Sequence, residues 1–439
     1  MQPSRSVARR LFQGLLVAGV VLVGVELCLW GVASALQLDW TVDPLPSHRD
    51  YQVICPVGDE LISLCAEDGL GYERVRPEMF FGTADRPRVV AIGESFVHGY
   101  QLEREQAWPA RLEQQLGGEV EVLNLGRCGS FASKLVPVVE AAVTIGADVA
   151  VLAMGNNEHT MSSFFTGLPG RHPLVFYRLS GALGRLRIYG LLTQLTGREL
   201  RVSELEDGMP RVFGNELDEL VYAVRRRPPD LRRFEGGYAS PRVTRILERE
   251  QRLKERIFEQ RLDSMVRTLQ EADVRVILAT LPHDLSEAPV LSGIHRGDPA
   301  RVAVLAGQLE RMQRERSDEL GATIDEALDE EPRFAAFLHA RGAWLLDQGR
   351  DAEAAEAFRG AIEWDLVPDA TRSINSIIAS VARQRACALV DLDALSDEHM
   401  RNGRSFFRDK VHVSAAGADE VAAAIAPVLE AQVAARGAP

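Results

Sequence analysis

The sequence predicts a three-layer α/β domain with a parallel sheet, and three observations predict it. Short apolar runs recur at Arg88–Ile92, Val120–Leu125, Asp148–Met154, Val274–Leu281 and Ala388–Val390. Segments of helical period lie between them, at 107–116, at 131–145 and through Ile246, Leu253, Ile257, Leu262, Val266 and Leu269. Two of the runs close on or beside a glycine, Gly93 and Gly155. Strands that are apolar throughout, rather than alternating, are covered on both faces. Strands that alternate with helices pair in parallel.

The bulk numbers fit that class. A chain of 439 residues holds one large domain with insertions, or two domains. Hydrophobic residues make up 46% and charged residues 26%, enough apolar material for a sizeable core. The net charge of -13, with no large basic tract, argues against nucleic acid as a partner, because phosphate binding needs clustered Lys and Arg. The five cysteines form no C-x-x-C pair, which argues against a zinc ribbon or a thioredoxin-like site. Cys55 and Cys65 form a disulfide if their region lies outside the cytoplasm, and stay as two thiols otherwise.

Taken in order, residues 1–10 are a basic tail carrying Arg5, Arg9 and Arg10 and no acid. The apolar stretch Leu11–Leu36 follows and is long enough to cross a bilayer. Basic residues ahead of it place the N-terminus inside and the bulk of the chain outside, on the periplasmic side of a bacterial envelope. A retained anchor and a cleaved signal peptide ending near Ala33-Ser34-Ala35 both export the rest. Glu26 is out of place in such a span, since an acid in hydrocarbon must be protonated or paired. Residues 37–85 show no sustained period and read as a stalk or irregular cap. The core then begins at 86–160, and a lid-like insertion of irregular polarity fills 161–240. The core resumes at 241–285, gives way to a helical insertion at 286–372, and finishes at 373–439.

Within the second insertion, Gly342, Leu345, Gly349, Ala354, Phe358 and Ala361 fall at tetratricopeptide spacings, so that stretch resembles one such repeat. Small residues let two helices pack closely and Phe358 fills the gap between them. One repeat is too few for a free-standing solenoid. It packs on the core or forms a ledge for a protein partner, and a plain helical hairpin is the simpler alternative.

Four short blocks carry the chemistry. Gly93-Glu94-Ser95 follows the first strand, and a serine there presents its hydroxyl at the carboxyl edge of the sheet, where active sites form. Asn124-Leu125-Gly126-Arg127-Cys128-Gly129-Ser130 follows the second, with glycines that let backbone N–H groups approach a ligand. Gly155-Asn156-Asn157-Glu158 follows the third, where an asparagine amide can donate to a developing oxyanion. Asp409-Lys410-Val411-His412 precedes a C-terminal helix. A carboxylate three residues before a histidine can hold its Nδ1–H and leave Nε2 to take a proton from serine.

Together the blocks resemble the SGNH (GDSL-like) hydrolase superfamily, in particular a subset with tetratricopeptide-like insertions, Gly-Glu-Ser in the first block and Asn-Glu in the third. The resemblance implies a flavodoxin-like α/β/α fold, with Ser95 as nucleophile, His412 as general base and Asp409 orienting it. It implies an oxyanion hole from the Ser95 and Gly129 N–H groups and the Asn157 side chain, with no cofactor and no metal. The departures are Glu94 and Glu158, where the superfamily has aspartates, and Cys128, where serine is common. None removes a catalytic atom.

The implied activity is ester cleavage or acyl transfer through an acyl-serine, on an O-acyl group such as acetyl carried by an exported glycan or other envelope substrate. The triad does not separate hydrolase from transferase. A different class of function is an envelope scaffold that uses the helical insertion to hold a partner. A lipase at the bilayer would show an exposed apolar patch near the cleft. His98 and His159 sit near the blocks without metal-ligand spacing and read as loop histidines. His283 and His295 flank the exit from the fourth strand, and Arg225–Arg227 read as a solvated run.

Overall fold

The computed structural model describes residues 20–32, 34–35, 54–57, 61–64, 86–159, 186–188, 191, 238–239, 241–287, 294–295, 297–365, 371–401 and 403–436. The chain divides into two compact units, Met1–Ser47 with Phe164–Phe213, and His48–Ser163 with Gly214–Pro439.

The strands are β1 (Ile54–Val57), β2 (Leu61–Leu64), β3 (Arg88–Gly93), β4 (Glu121–Gly126), β5 (Val149–Ala153), β6 (Tyr238–Ala239), β7 (Arg275–Ala279), β8 (Ile294–His295) and β9 (Ala388–Val390). The larger unit is built on a sheet of order β4-β3-β5-β7-β9, every pair parallel. Strand order reverses at β3, so the crevice outside the carboxyl ends of β3 and β5 is the place for a ligand. Three of the sequence blocks end there, level with one another, because Gly93 pairs in register with Gly126 and with Ala153.

The helices are α1 (Ser95–His98), α2 (Trp108–Gln115), α3 (Ala132–Thr144), α4 (Pro241–Glu271), α5 (Pro299–Glu315), α6 (Leu320–Glu330), α7 (Ala335–Asp347), α8 (Asp351–Glu363), α9 (Arg372–Gln384), α10 (Ala394–Glu398), α11 (Gly403–Phe406) and α12 (Ala415–Arg436). Alternate strand residues point to opposite faces, and the burial follows that rule. Val90, Ile92, Ala150, Leu152, Val276 and Leu278 pack on one side with α3, α4 and α9. Val89, Ala91, Val149, Val151, Ile277 and Ala279 pack on the other with α2 and α12. Both faces are covered along β3, β5 and β7, which is why those strands read as largely apolar runs.

The helical insertion forms α5 to α8. Val302, Leu305, Leu309, Ile324, Phe334 and Phe337 make one core. Leu345, Phe358 and Ile362 make another with Leu285 and Met400, which belong to the core domain. A Cβ on Gly342 would meet the Phe358 ring at 2.6 Å, so the two helices touch at that glycine.

Some expectations shift. Residues 37–85 are not wholly irregular: β1 and β2 pair as an antiparallel hairpin too short to leave a period in the sequence. Its register sets Cys55 against Ser63, and Cys65 lies outside the described residues, as does most of the lid at 161–240, Arg225–Arg227 included. The helix read from Ile246 onward begins earlier, at Pro241, whose fixed φ suits a first turn.

In the smaller unit, residues 20–32 and 34–35 of the expected anchor are helical. Among the described residues no helix is long and apolar enough to cross a membrane. Val20, Val23, Leu27 and Trp30 are exposed on that helix. The Glu26 carboxylate accepts the N–H of Arg187 at 2.6 Å and of Ile188 at 3.1 Å, so the misplaced acid has partners.

Candidate active site

Ser95 opens α1, the single turn that leaves β3. Gly99 ends that turn at φ +82 and donates its N–H to the Ser95 carbonyl. The turn lies hard against β4: a Cβ on Gly126 would stand 2.2 Å from the His98 backbone nitrogen. Glycine at 126 is therefore what lets the nucleophile's helix sit over the sheet edge.

Asp409 and His412 lie on a loop pinched shut by pairing of Phe407 with Val413 and by the Arg408 N–H on the His412 carbonyl at 2.7 Å. The Asp409 side chain caps its own loop, accepting from the N–H groups of Val411 at 3.1 Å and His412 at 2.9 Å. Aspartate favours such a turn because its carboxylate reaches backbone two and three residues on. A further tie holds this loop to the nucleophile's side, where Arg408 donates to the Gln101 carbonyl at 2.6 Å.

The three side chains line up. His412 Nε2 lies 2.7 Å from Ser95 Oγ, and Nδ1 lies 2.8 Å from Asp409 Oδ2. Partial burial pushes the Asp409 carboxyl up, but the hydrogen bonds from the His412 ring, its N–H and the Val411 N–H outweigh this and hold it below the usual carboxylate range. An ionised Asp409 fixes the imidazole tautomer, with Nδ1–H toward the carboxylate and Nε2 free to accept. The Tyr100 ring lies 4.8 Å from that of His412. Beside Ser95 and His412, Phe96, Tyr100, Leu102 and Trp108 line a narrow apolar recess.

Of the expected oxyanion-hole groups, Ser95 N–H heads α1 and Gly129 takes φ +65 in the loop before α3. The Asn157 side chain commits one N–H to the Ser130 carbonyl at 2.9 Å, which ties the third block to the second. An amide has two N–H bonds, so this tie and a contact to substrate are compatible.

The two glutamates that depart from the superfamily pattern are structural. Glu94 is fully buried and accepts the N–H of Gly155 at 3.0 Å and of Asn157 at 3.2 Å. Glu158, 2% exposed, accepts the N–H of Ala132 at 2.6 Å. Glu94 therefore ties the first block to the third, and Glu158 ties the third block to the start of α3. Burial, and then the charge of Glu158, push the Glu94 carboxyl well up. Burial pushes Glu158 up to about 7, against the pull of the Ala132 N–H and of nearby Lys254.

His98 ends α1, and its carbonyl accepts from Asn124 Nδ2 at 3.3 Å. His159 Nε2 lies 3.3 Å from Thr371 Oγ1, His283 donates its backbone N–H to Ser396 Oγ, and His295 is in β8. Among the described residues no group of His, Cys, Asp and Glu is arranged to hold a metal ion. Sequence reasoning missed Asn375, which brackets the exit of β7 by exchanging hydrogen bonds with Leu281 N–H and carbonyl. A lone asparagine on α9 gives no signal of a partner 94 residues away.

No protein-family model matches the chain, and no curated protein matches it. Among solved structures it is similar to a member of the lipolytic protein G-D-S-L family from Veillonella parvula, with a TM-score of 0.34 and 10% identity over 78% of this chain and 98% of that one. It is similar to the lipase/acylhydrolase from Enterococcus faecalis, with a TM-score of 0.34 and 11% identity over 79% and 96%. An acetyl xylan esterase gives a TM-score of 0.32 and 14% identity over 78% and 99%. Superpositions this loose say nothing about chemistry, which stands on the geometry of the site itself.

Proposed function

We propose that the chain is a serine esterase or O-acyltransferase. The observation that carries this is the continuous hydrogen-bonded line from Ser95 Oγ through both nitrogens of His412 to Asp409. In that reading Ser95 Oγ attacks an ester carbonyl and passes its proton to His412 Nε2. The negative charge on the tetrahedral oxygen faces the N–H groups of Ser95 and Gly129 and the Asn157 amide. Collapse breaks the ester C–O bond, and the departing alcohol takes the proton from His412. An acyl-Ser95 remains. His412 then removes a proton from water or from an acceptor hydroxyl, whose oxygen attacks the acyl carbonyl; the acyl–Ser95 Oγ bond breaks and Ser95 takes the proton from His412.

The close walls of the recess beside Ser95, formed by Phe96, Tyr100, Leu102 and Trp108, support a short acyl group. Acetyl esters on an exported glycan are the substrate we favour. The exposed apolar helix at 20–32 behind a basic head supports a membrane anchor, with the catalytic unit outside the cytoplasm. The scaffold reading has less behind it, because the apolar face of the α7–α8 hairpin is already filled by Leu285 and Met400.

The test is labelling of the full-length chain with a serine-reactive fluorophosphonate, beside Ser95→Ala and His412→Ala. We expect labelling at Ser95, lost in both variants, and p-nitrophenyl acetate turned over at least ~10-fold faster than the octanoate, several methylenes being too large for the recess. A folded wild-type chain that takes no label would sink the esterase reading.

A further inference from the structure

The catalytic loop is held from outside the core domain. Lys410 stands between Asp409 and His412 in sequence, and its ammonium lies 3.3 Å from Asp365 Oδ2. Asp365, 1% exposed, lies two residues past the end of α8, the last helix of the insertion. The Lys410 carbonyl accepts the Asp284 N–H at 2.8 Å. Asp284 belongs to the exit loop of β7, and that loop is itself bound to the insertion. Its Ser286 carbonyl pairs with His339 Nε2 of α7 at 3.0 Å, and Leu285 is buried among Leu345, Phe358 and Ile362. Both the side chain and the backbone of Lys410 thus reach the α7–α8 hairpin, one directly and one through a single loop.

We infer that the α7–α8 hairpin braces the catalytic loop, and that Lys410 and Asp365 are positioning residues for His412. This rests on the serine-esterase reading. The physical reason is leverage. Asp409 and His412 flank Lys410 on a tight loop, so a displaced Lys410 carries the acid and the base away from Ser95 together. Proton transfer depends steeply on that distance, and a misplacement of about 1 Å costs on the order of 100-fold in rate. The hairpin is in this view part of the active-site architecture.

Removing one partner would leave a buried charge unpaired and threaten folding, so the decisive variant is the double one, Asp365→Leu with Lys410→Met. Replacing both charges by apolar groups of similar size is close to neutral for stability. The reference is Arg401→Ala. It breaks an exposed ion pair between the same hairpin, at Asp351, and the core domain without touching the loop. With the full-length chain, we expect the double variant to melt near wild type and to react with the fluorophosphonate at least ~10-fold more slowly. The downfield proton resonance of His412 Nδ1–H should shift or broaden in it. Arg401→Ala should label within about twofold of wild type, as an exposed pair contributes little. If wild type labels and the folded double variant labels as fast with an unchanged resonance, the brace is wrong. If folded wild type takes no label, the esterase reading falls and the inference falls with it.

Discussion

Two buried carboxyls stand behind the nucleophile, and at the scale of single residues they are the most unusual feature of the site. Glu94 accepts backbone N–H groups from the third block and Glu158 accepts one from the first residue of α3, and both are pushed up by burial. For Glu158 the consequence for stability has a definite sign. Its folded value of about 7 stands above the ordinary 4.5, so the folded chain holds this proton more tightly than the unfolded one. Stability therefore falls as pH rises from 4.5 to about 7 and levels off above that. The contribution is on the order of 3 kcal/mol. Glu158→Gln keeps an oxygen for the Ala132 N–H and removes the titration. Denaturant melts at pH ~5 and ~7.5 should show wild type losing more stability than the variant over that interval. Equal losses would mean that Glu158 titrates normally.

At the scale of elements, the contact of α1 with β4 sets where the nucleophile stands. A Cβ at Gly126 would press on backbone atoms of Val97 and His98, which cannot turn away as a side chain can. Gly126→Ala should lift α1 off the sheet edge, cutting fluorophosphonate labelling by about 100-fold and lowering the melting temperature. Gly117→Ala is the comparison, with φ +62 but nothing within 4 Å of the new methyl. It should cost about 1 kcal/mol of stability and leave labelling alone. Labelling of Gly126→Ala at the wild-type rate would show that α1 tolerates the shift.

Elements also show what a sequence reveals. β3, β5 and β7 are legible because burial on both faces demands apolar residues at every position, and α4 because one long stripe faces the core. The β1–β2 hairpin is not legible, since four residues a side leave no period. Ser95, Asp409 and His412 stand out because each needs a particular residue type at a strand end or tight turn, and the fold brings their side chains within hydrogen-bond reach. Glu94 is visible as a block residue, but its role is not, because its partners are backbone N–H groups of another loop. The Lys410–Asp365 pair is invisible for the same kind of reason: two common charged residues 45 positions apart announce nothing.

At the scale of the whole molecule, the proposed arrangement is a short-acyl esterase tethered by the helix at 20–32. Full-length chain expressed in a bacterium should stay in the membrane pellet through an alkaline carbonate wash, and a chain lacking residues 1–36 should not. Release of the full-length chain by that wash would point to cleavage of the segment or to peripheral attachment.

Ser95 and His412, the proposed nucleophile and base, are 317 residues apart. At about 5–20 residues per second, roughly 16–60 s of synthesis separate them. Ser95 can fold into its turn early, but it meets His412 only after another 317 residues have been made. In the proposed reading, the esterase is thus born inert. It carries its own delay against premature chemistry inside the cell, and any product of stalled translation or of proteolysis ahead of His412 is silent rather than a stray hydrolase.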